Sequence, residues 1–366
     1  MSVTSSGDRA KMALVGAGVI GTHHGLVISE LADRVELVAV VDIHPERAQR
    51  LAAERGGEAF TSLTEALAAI PIDIVVVCTP TGRHGEVAIQ ALEAAKNVII
   101  EKPAEITVAK TDEIIEAQHK AGTLVAVISQ HRFDKSTEIA LAAIEKGELG
   151  RLTTGIASID WWRGQSYYDS GNWRGTWELD GGGALMNQGV HTVDLLVATM
   201  GRPVEVFAYT GTLAHQRIEV EDAAVAVVRF ENGALGLLHA TTAAYPGLSA
   251  RLHVHGDKGS IVIDNDLLTF IHTTPQGSQA EEKSYGSASD SINQLGNYEQ
   301  TEQGGPTTGS QAGGLSSLAH HRQYENFLAA LAGKEPLRVD LETNRRSIGV
   351  ITGVYESART GKPVTL

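Results

Sequence analysis

Residues 11–21 read KMALVGAGVIG, an apolar run that passes directly into glycines spaced G-x-G-x-x-G. The run predicts a buried strand, and the residues after it follow a helical pattern. In that context Gly16 permits a tight turn, Gly18 lets the backbone approach a pyrophosphate, and Gly21 allows close helix–strand packing. The helix start would offer free N–H groups to a diphosphate. The residues expected to contact the cofactor here are Gly16, Gly18, Val19 and Ile20.

An acidic residue, Asp42, ends the second apolar run. A carboxylate at this place accepts hydrogen bonds from the adenosine ribose and repels a 2′-phosphate, which favours NAD over NADP. The alternative is that Asp42 only caps the following helix, on which Arg47 is interpreted as a solvated charge. Thr79 and Pro80 follow the next run at its carboxyl end, where ligands bind in such folds. We expect them to line the nicotinamide ribose.

The pattern of apolar segments changes near the middle of the chain. Residues 11–130 alternate short apolar runs with amphipathic helical stretches, which predicts a doubly wound parallel sheet in a dinucleotide-binding Rossmann domain. Residues 131–366 predict an α+β domain with a large, mostly antiparallel sheet that binds substrate and mediates oligomerisation. Residues 1–10 are interpreted as a disordered leader. Residues 276–317, rich in Gly, Ser, Gln and Thr, predict a mobile loop.

Composition narrows the classes of partner. The net charge of −14 argues against binding nucleic acid or an anionic membrane surface. The single cysteine, Cys78, excludes an intramolecular disulfide. No apolar stretch is long enough to span a membrane, and no spacing of histidines indicates a metal site. We therefore expect a cytoplasmic protein that acts on a small molecule.

Two segments carry candidate catalytic residues. Lys102 stands at the end of a predicted strand, where it either points into the cofactor crevice or is a solvated charge. Residues 181–194 read GGGALMNQGVHTVD, and on one continuous helix Asn187, His191 and Asp194 share a face. His191 is either a general base or a core histidine with satisfied hydrogen bonds. Asp194 either orients the imidazole or is a surface acid.

Taken together, the motifs resemble the glucose–fructose oxidoreductase/inositol dehydrogenase (Gfo/Idh/MocA) family of NAD(P)-dependent sugar dehydrogenases. The resemblance covers nearly the whole chain. It rests on the glycine turn followed by His24, Thr79-Pro80 with His84, Glu101-Lys102-Pro103, the glycine–His191–Asp194 segment, Asn232-Gly233, His255-Gly256 with Gly259-Ser260, and residues 355–363.

The resemblance implies that Lys102 and His191 act at the substrate carbinol. It also implies that His84, Glu101 and Lys102 lie at the cofactor. An imidazole, with an unperturbed pKa near 6.5, suits a general base. A lysine ammonium can stabilise a developing alkoxide. Many members carry Asp where this chain has Asn187, and an amide can orient a hydroxyl but cannot take its proton. This departure counts against a cyclitol substrate. The resemblance also implies a homodimer or homotetramer.

All four tryptophans lie in residues 161–177. Aromatic faces suit the C–H faces of a pyranose, and Arg163 and Arg174 in the same segment can hold hydroxyls, a carboxylate or a phosphate. The alternative is that some of these rings pack a sheet edge or a subunit contact. His131 is expected near the domain junction, in contact with substrate. The predicted substrate-binding residues are His131, Trp161, Arg163, Trp173, Arg174, Asn187 and His191.

The sequence predicts an NAD-dependent oxidoreductase that acts on a secondary alcohol of a sugar, with C3 of a pyranose as the carbon that the resemblance suggests. One alternative is an NAD-dependent glycosidase that oxidises C3 transiently and eliminates the aglycone. A second is a dinucleotide-sensing regulator of the same fold, against which the presence of both Lys102 and His191 argues.

Overall fold

The apolar runs of the N-terminal part form one parallel sheet in a computed structural model, which describes residues 9–275, 277, 293–298 and 317–366. The strands are β1 Ala10–Val15, β2 Val35–Val41, β3 Glu58–Phe60, β4 Ile74–Val77, β5 Asn97–Ile100 and β6 Val125–Val127. Their order is β3-β2-β1-β4-β5-β6. The order reverses between β1 and β4, and ligands bind at the carboxyl ends of the strands at such a point. The predicted Rossmann fold is confirmed.

Helices cover both faces of this sheet. They are α1 Val19–Glu30, α2 Pro45–Arg55, α3 Leu63–Ala69, α4 His84–Glu93 and α5 Val108–Ala121. Successive side chains of a strand point to opposite faces. Met12 and Leu14 of β1 therefore pack in one apolar core, whereas Ala13 and Val15 pack in another. The sequence missed β3, which has only three residues.

A second sheet is formed by the later strands. They are β7 Leu152–Asp160, β8 Pro203–Gly211, β9 Ala223–Phe230, β10 Leu235–Thr241, β11 Ala250–Gly256, β12 Ser260–Asp264, β13 Leu267–His272 and β14 Val364–Thr365. The order is β13-β12-β11-β7-β10-β9-β8-β14, and among the described strands of this second sheet only β7 and β10 pair in parallel. Three helices accompany it, α6 Lys135–Glu145, α7 Gln165–Tyr168 and α8 Val190–Met200. The predicted α+β architecture is confirmed.

One face of the second sheet is buried and the other is open along β9 and β10. Ala224, Ala226 and Val228 of β9 are buried, whereas the alternating Val225 and Val227 are 48% and 54% exposed. Leu235 and Leu237 of β10 continue this exposed apolar surface.

The C-terminal helices are α9 Ser317–Leu331 and α10 Leu341–Thr360. Contacts group residues 9–130, 178–181 and 317–348 into a first unit, and the other described residues into a second unit. The sequence pattern predicts that residues 317–348 belong to the second domain. The structure groups them with the first unit because Tyr324 and Phe327 of α9 pack in the same apolar core as the β1 side chains.

Two predicted irregular segments fall mainly outside the described residues. Of the leader, residues 1–8 are not described, and Ala10 already belongs to β1. Of the predicted mobile loop 276–317, the structure describes Gly277, residues 293–298 and Ser317. Within residues 293–298, Leu295 and Tyr298 pack against the apolar core beneath the second sheet. In the described part of the chain, no helix is both long and apolar enough to cross a bilayer.

Candidate active site

The glycine loop between β1 and α1 contains glycines with two different structural roles. A Cβ on Gly16 would lie 2.4 Å from the Cys78 carbonyl oxygen, and one on Gly21 would lie 1.8 Å from the Gly16 carbonyl oxygen. The fold itself therefore requires these two glycines. A Cβ on Gly18 would meet nothing within 4 Å, and its φ of −79° is accessible to any residue. The open space at Gly18, beside the N-terminus of α1, fits the diphosphate of a dinucleotide.

The two roles predict opposite effects of substitution. Gly18→Ala is expected to cost at most about 1 kcal/mol of stability, the usual range for an N-cap change, but to weaken NADH binding at least ~10-fold by narrowing the diphosphate space. Gly21→Ala, the matched control, is expected to cost about 2–3 kcal/mol because its methyl group overlaps backbone. Thermal unfolding and NADH fluorescence titration measure both. Unchanged NADH affinity in Gly18→Ala would contradict this role.

Asp42 fastens the glycine loop to the end of β2. One carboxylate oxygen accepts a hydrogen bond from the Ala17 N–H at 2.8 Å, and the other accepts one from the His44 N–H at 2.9 Å. His44 directly precedes α2, so the capping alternative describes part of what Asp42 does. A carboxylate oxygen has more than one lone pair, and these two bonds therefore leave acceptor capacity for ribose hydroxyls.

The loop after β4 is tied to the loop after β5 by His84. Its Nδ1 lies 2.8 Å from the Pro103 carbonyl oxygen and its Nε2 lies 2.8 Å from the Thr79 carbonyl oxygen. Burial lowers the pKa of His84. Both ring nitrogens lie within hydrogen-bonding distance of backbone carbonyl oxygens, so His84 connects these two loops, and its predicted place at the cofactor stays a prediction. The buried Thr79 hydroxyl, beside Pro80, has no hydrogen-bond partner in the described chain and is suited to a ligand.

The Glu101 side chain is buried and contacts residues of the first unit. One carboxylate oxygen lies 2.8 Å from His24 Nε2, and the other accepts a hydrogen bond from the Lys102 backbone N–H at 2.9 Å. His24 Nδ1 in turn lies 2.7 Å from the Tyr324 hydroxyl. Although burial raises the pKa of Glu101, His24, Lys102 and His320 together lower it to about 2. Glu101 therefore anchors the backbone at Lys102, which is half-buried, and its predicted place at the cofactor stays a prediction.

His320 and Tyr324 of this network were missed by the sequence analysis. They lie four residues apart on α9, so they share a helix face. The spacing predicts that His320 and Tyr324 lie on one face of the helix. It does not indicate that this face packs against the sheet of the first unit.

The segment that carries His191 is not one continuous α-helix. Residues Ala184–Gln188 form a π-helical turn, and α8 begins only at Val190. The predicted α-helical spacing of Asn187 and His191 is corrected accordingly. The turn is held by Glu221, which the sequence analysis missed: its carboxylate accepts hydrogen bonds from the Gly183 and Leu185 N–H groups at 2.9 and 2.8 Å. Burial raises the pKa of Glu221 to about 7, against the effect of these bonds.

Asp194 pairs with an arginine. Its two carboxylate oxygens accept hydrogen bonds from Arg132 Nε and Nη2, both at 2.6 Å, and both residues are buried. Asp194 is therefore not the surface acid that one interpretation allowed. The ion pair with Arg132 connects the start of the second unit to α8.

His131 lies against His191, the candidate base. The ring centroids are 4.9 Å apart and the planes are nearly perpendicular, at 80°. His131 Nδ1 lies 2.7 Å from Asp134 and 3.1 Å from Asp266. Burial lowers the pKa of His131, but the two carboxylates outweigh it and raise that pKa well above its ordinary value. The two carboxylates therefore favour the protonated form of His131, which lies beside His191.

Two groups of side chains have ligand atoms within 4.8 Å of one another, namely His24, Glu101 and His320, and His131, Asp134 and Asp266. Hydrogen bonds of ordinary length already join members of both groups. Neither group therefore requires a metal ion to explain its geometry.

The aromatic segment brings the predicted substrate residues together. The Arg163 guanidinium lies 5.3 Å from the ring centre of Trp161, and the Arg174 guanidinium lies 4.6 Å from that of Trp173. Arg163 Nη2 donates to Gln188 Oε1 at 2.7 Å, and Gln188 Nε2 donates to Asn187 Oδ1 at 3.1 Å. Gln188, missed by the sequence analysis, therefore links this segment to the turn before His191.

The other two tryptophans pack elsewhere. Trp162 forms an isolated bridge with Ala243 and packs edge-on to Tyr245. Trp177 packs edge-on to Tyr355. The packing alternative therefore describes these two residues.

Similarity to known proteins agrees with this geometry. The profile described as the oxidoreductase family with an NAD-binding Rossmann fold matches residues 10–129, and that of the GFO/IDH/MocA C-terminal domain matches residues 137–262. The crystal structure of the WlbA dehydrogenase from Bordetella pertussis, in complex with NADH and UDP-GlcNAcA, is 31% identical. The match covers 98% of this chain and 99% of that chain, with a TM-score of 0.83. The chain belongs to the Gfo/Idh/MocA oxidoreductase family.

Two curated relatives within this Gfo/Idh/MocA family are inositol dehydrogenases. Myo-inositol 2-dehydrogenase from Thermotoga maritima is 29% identical over 289 residues, which cover 75% of this chain and 81% of the relative. The scyllo-inositol 2-dehydrogenase (NAD(+)) from Bacillus subtilis is 26% identical over 260 residues, 70% of this chain and 74% of the relative. As a member of this family of sugar-type dehydrogenases, the chain is an oxidoreductase with NAD as its cofactor, as the sequence predicted.

Proposed function

We propose that the protein transfers a hydride between a secondary alcohol of a sugar derivative and NAD. The observation that carries this proposal is the hydrogen-bonded path Arg163–Gln188–Asn187. It joins a surface of aromatic rings and arginines to the turn that precedes the helix with His191. Aromatic faces and polar donors are the usual binding partners of a sugar ring. A base next to such a surface is suited to a sugar hydroxyl.

The residues proposed to hold NAD are those of the glycine loop and two strand ends. The open space at Gly18 and the N–H groups at Val19 and Ile20 suit the diphosphate, and Asp42 suits the adenosine ribose. The unpartnered Thr79 hydroxyl, with Pro80, suits the nicotinamide ribose. When bound, NAD supplies the hydride acceptor, which carries the redox change.

In this proposal one side chain accepts the proton of the substrate alcohol, and another stabilises the negative charge that develops on the alcohol oxygen. Oxidation of an alcohol releases its O–H proton as hydride leaves the same carbon, and His191 is the base proposed to take that proton. Lys102 is proposed to donate a hydrogen bond to the alcohol oxygen and stabilise its alkoxide character. Asn187 is proposed to orient the hydroxyl without exchanging a proton.

We further propose that the carbon oxidised is C3 of a pyranose, as the family resemblance suggests. The relatives named above act on inositols or bind UDP-GlcNAcA. Asn187, in place of the carboxylate common in the family, favours a sugar derivative over a cyclitol. The NAD-dependent glycosidase and the dinucleotide-sensing regulator remain the alternatives.

A substrate panel tests the function. Free sugars, cyclitols, glycosides and sugar nucleotides are each incubated with NAD or NADP, and the absorbance of the reduced cofactor is followed. We expect reduction with a sugar derivative, and at least ~10-fold preference for NAD, because Asp42 repels a 2′-phosphate. Tighter binding of NADP would contradict the role of Asp42. Glycoside cleavage without net NADH would favour the glycosidase, and NAD binding without any turnover would favour the regulator.

We also propose that the protein self-associates as a homodimer or homotetramer and acts in the cytoplasm. The support for self-association is the open apolar face of β9 and β10, where Val225, Val227, Leu235 and Leu237 are each about half exposed. Contiguous exposed apolar surface of this kind is typical of interfaces. A second copy of the chain has the same apolar face, and we propose that the two faces pack against each other.

A further inference from the structure

Two arginines in the segment between β7 and α8 lie close together. The Arg163 guanidinium is 5.2 Å from the ring centre of Tyr167, and the Arg174 guanidinium is 4.2 Å from the same ring. Each guanidinium also lies near a tryptophan ring, Arg163 near Trp161 at 5.3 Å and Arg174 near Trp173 at 4.6 Å. We call Arg163 and Arg174 the arginine pair. Because both guanidiniums contact one aromatic ring, two positive charges are concentrated in a small volume.

The arginine pair has no acidic partner in the described part of the chain, although the protein contains 44 Asp and Glu residues. Two acidic residues near Arg163 in the sequence are engaged elsewhere. Asp160 pairs with His239 at 2.8 Å, and Asp169 pairs with Arg217 at 2.7 Å. In a chain with a net charge of −14, this is a local excess of positive charge.

Arg163 is half-buried, and its positive charge is not fully compensated by the surrounding groups. Within the described residues its guanidinium makes one side-chain hydrogen bond, from Nη2 to Gln188, and its buried Nε has no partner. Burial lowers the pKa of Arg163, and the charge of Arg174 lowers it further, against the effect of the nearby tyrosines. A buried charge is normally paired, because an unpaired one is costly. A bound anion would supply the missing charge.

We propose that the arginine pair binds a carboxylate or phosphate group of the substrate, so that the substrate is an acidic sugar derivative. The planar guanidinium fork matches two oxygens of either group. The hydrogen bonds from Arg163 through Gln188 to Asn187 connect this anion site to the turn that precedes His191. This inference rests on the proposed function and names its substrate class.

The test compares probes that share one sugar scaffold. D-glucose, D-glucuronate, D-glucose 6-phosphate, UDP-glucose and UDP-glucuronate are assayed with the full chain and NAD. We expect lower KM values for the acidic probes than for glucose. Arg174→Gln is expected to raise KM for the preferred acidic probe roughly 10- to 100-fold, the loss typical of one charge-assisted hydrogen bond, with kcat changed by less than ~3-fold. An effect confined to uronates identifies a carboxylate, and one confined to phosphates identifies a phosphoryl group.

Arg202→Gln is the matched control, because it removes the same charge from an exposed arginine that pairs with Glu231. Arg163→Gln is the second variant. Unchanged KM for every acidic probe in both Arg174→Gln and Arg163→Gln would overturn the inference. Calorimetric binding of the same probes to the NADH-loaded protein separates the two proposals. Acidic probes that bind and lose binding in Arg174→Gln, without any turnover, would support the anion site while the proposed function fails.

Discussion

Lys102→Met is expected to lower kcat by about a thousandfold while the affinity for NADH stays close to that of the unaltered protein. Methionine keeps most of the length of the side chain but removes the ammonium group proposed to stabilise the alcohol oxygen. The Lys102 backbone N–H still donates to Glu101, so the strand end keeps its anchor. Steady-state kinetics on the substrate identified by the panel and NADH fluorescence titration measure the two quantities.

His191→Asn completes this experiment. Without the proposed base, kcat is expected to fall by roughly 10²- to 10⁴-fold. In the unaltered protein, kcat/KM should decrease toward acidic pH as the base becomes protonated, and the variant should lose this dependence. His119→Asn, an exposed histidine in α5, is the control for loss of an imidazole. Near-normal turnover in Lys102→Met, or in His191→Asn, would refute the role of that residue.

The fold of the first unit can be predicted from the sequence because the residues that determine it lie close together in the chain. Gly16, Gly18 and Gly21 lie in six consecutive residues, and the apolar runs around them specify buried parallel strands. Sequence does not state in which direction a side chain points at a strand end. It therefore does not reveal that His84 lies between two carbonyl groups or that Glu101 contacts His24 inside the unit.

The second unit shows what local patterns cannot supply. The sequence predicts a helix over residues 183–200, and the segment is helical. Its π-helical turn depends on Glu221, which accepts hydrogen bonds from the N–H groups of Gly183 and Leu185 but comes much later in the chain. Similarly, the amphipathic pattern of α9 predicts a buried face without indicating what covers it. These features depend on tertiary contacts, and one sequence does not reveal them.

The second large effect is on stability. Asp194→Asn is expected to lower the free energy of unfolding by about 3–5 kcal/mol, because it leaves the buried Arg132 guanidinium without its carboxylate. For a unit of this size, that loss lowers Tm by ~10 °C. Thermal unfolding followed by circular dichroism measures it. The expected loss of stability is large because the pair is buried. A buried charge is stabilised by its partner and not by water, so removal of the partner leaves its desolvation uncompensated.

An exposed ion pair provides the matched control. Glu231→Gln breaks the pair with Arg202, in which both side chains are about 60% exposed, and is expected to cost less than about 1 kcal/mol. Replacing both members of the buried pair, as Arg132→Met with Asp194→Leu, should recover much of the stability lost in Asp194→Asn, because no charge is then left unpaired. If Asp194→Asn and Glu231→Gln lower Tm equally, the pair does not hold α8 in the way its geometry indicates. If the double variant is less stable than Asp194→Asn, the loss comes from packing and not from an unpaired charge.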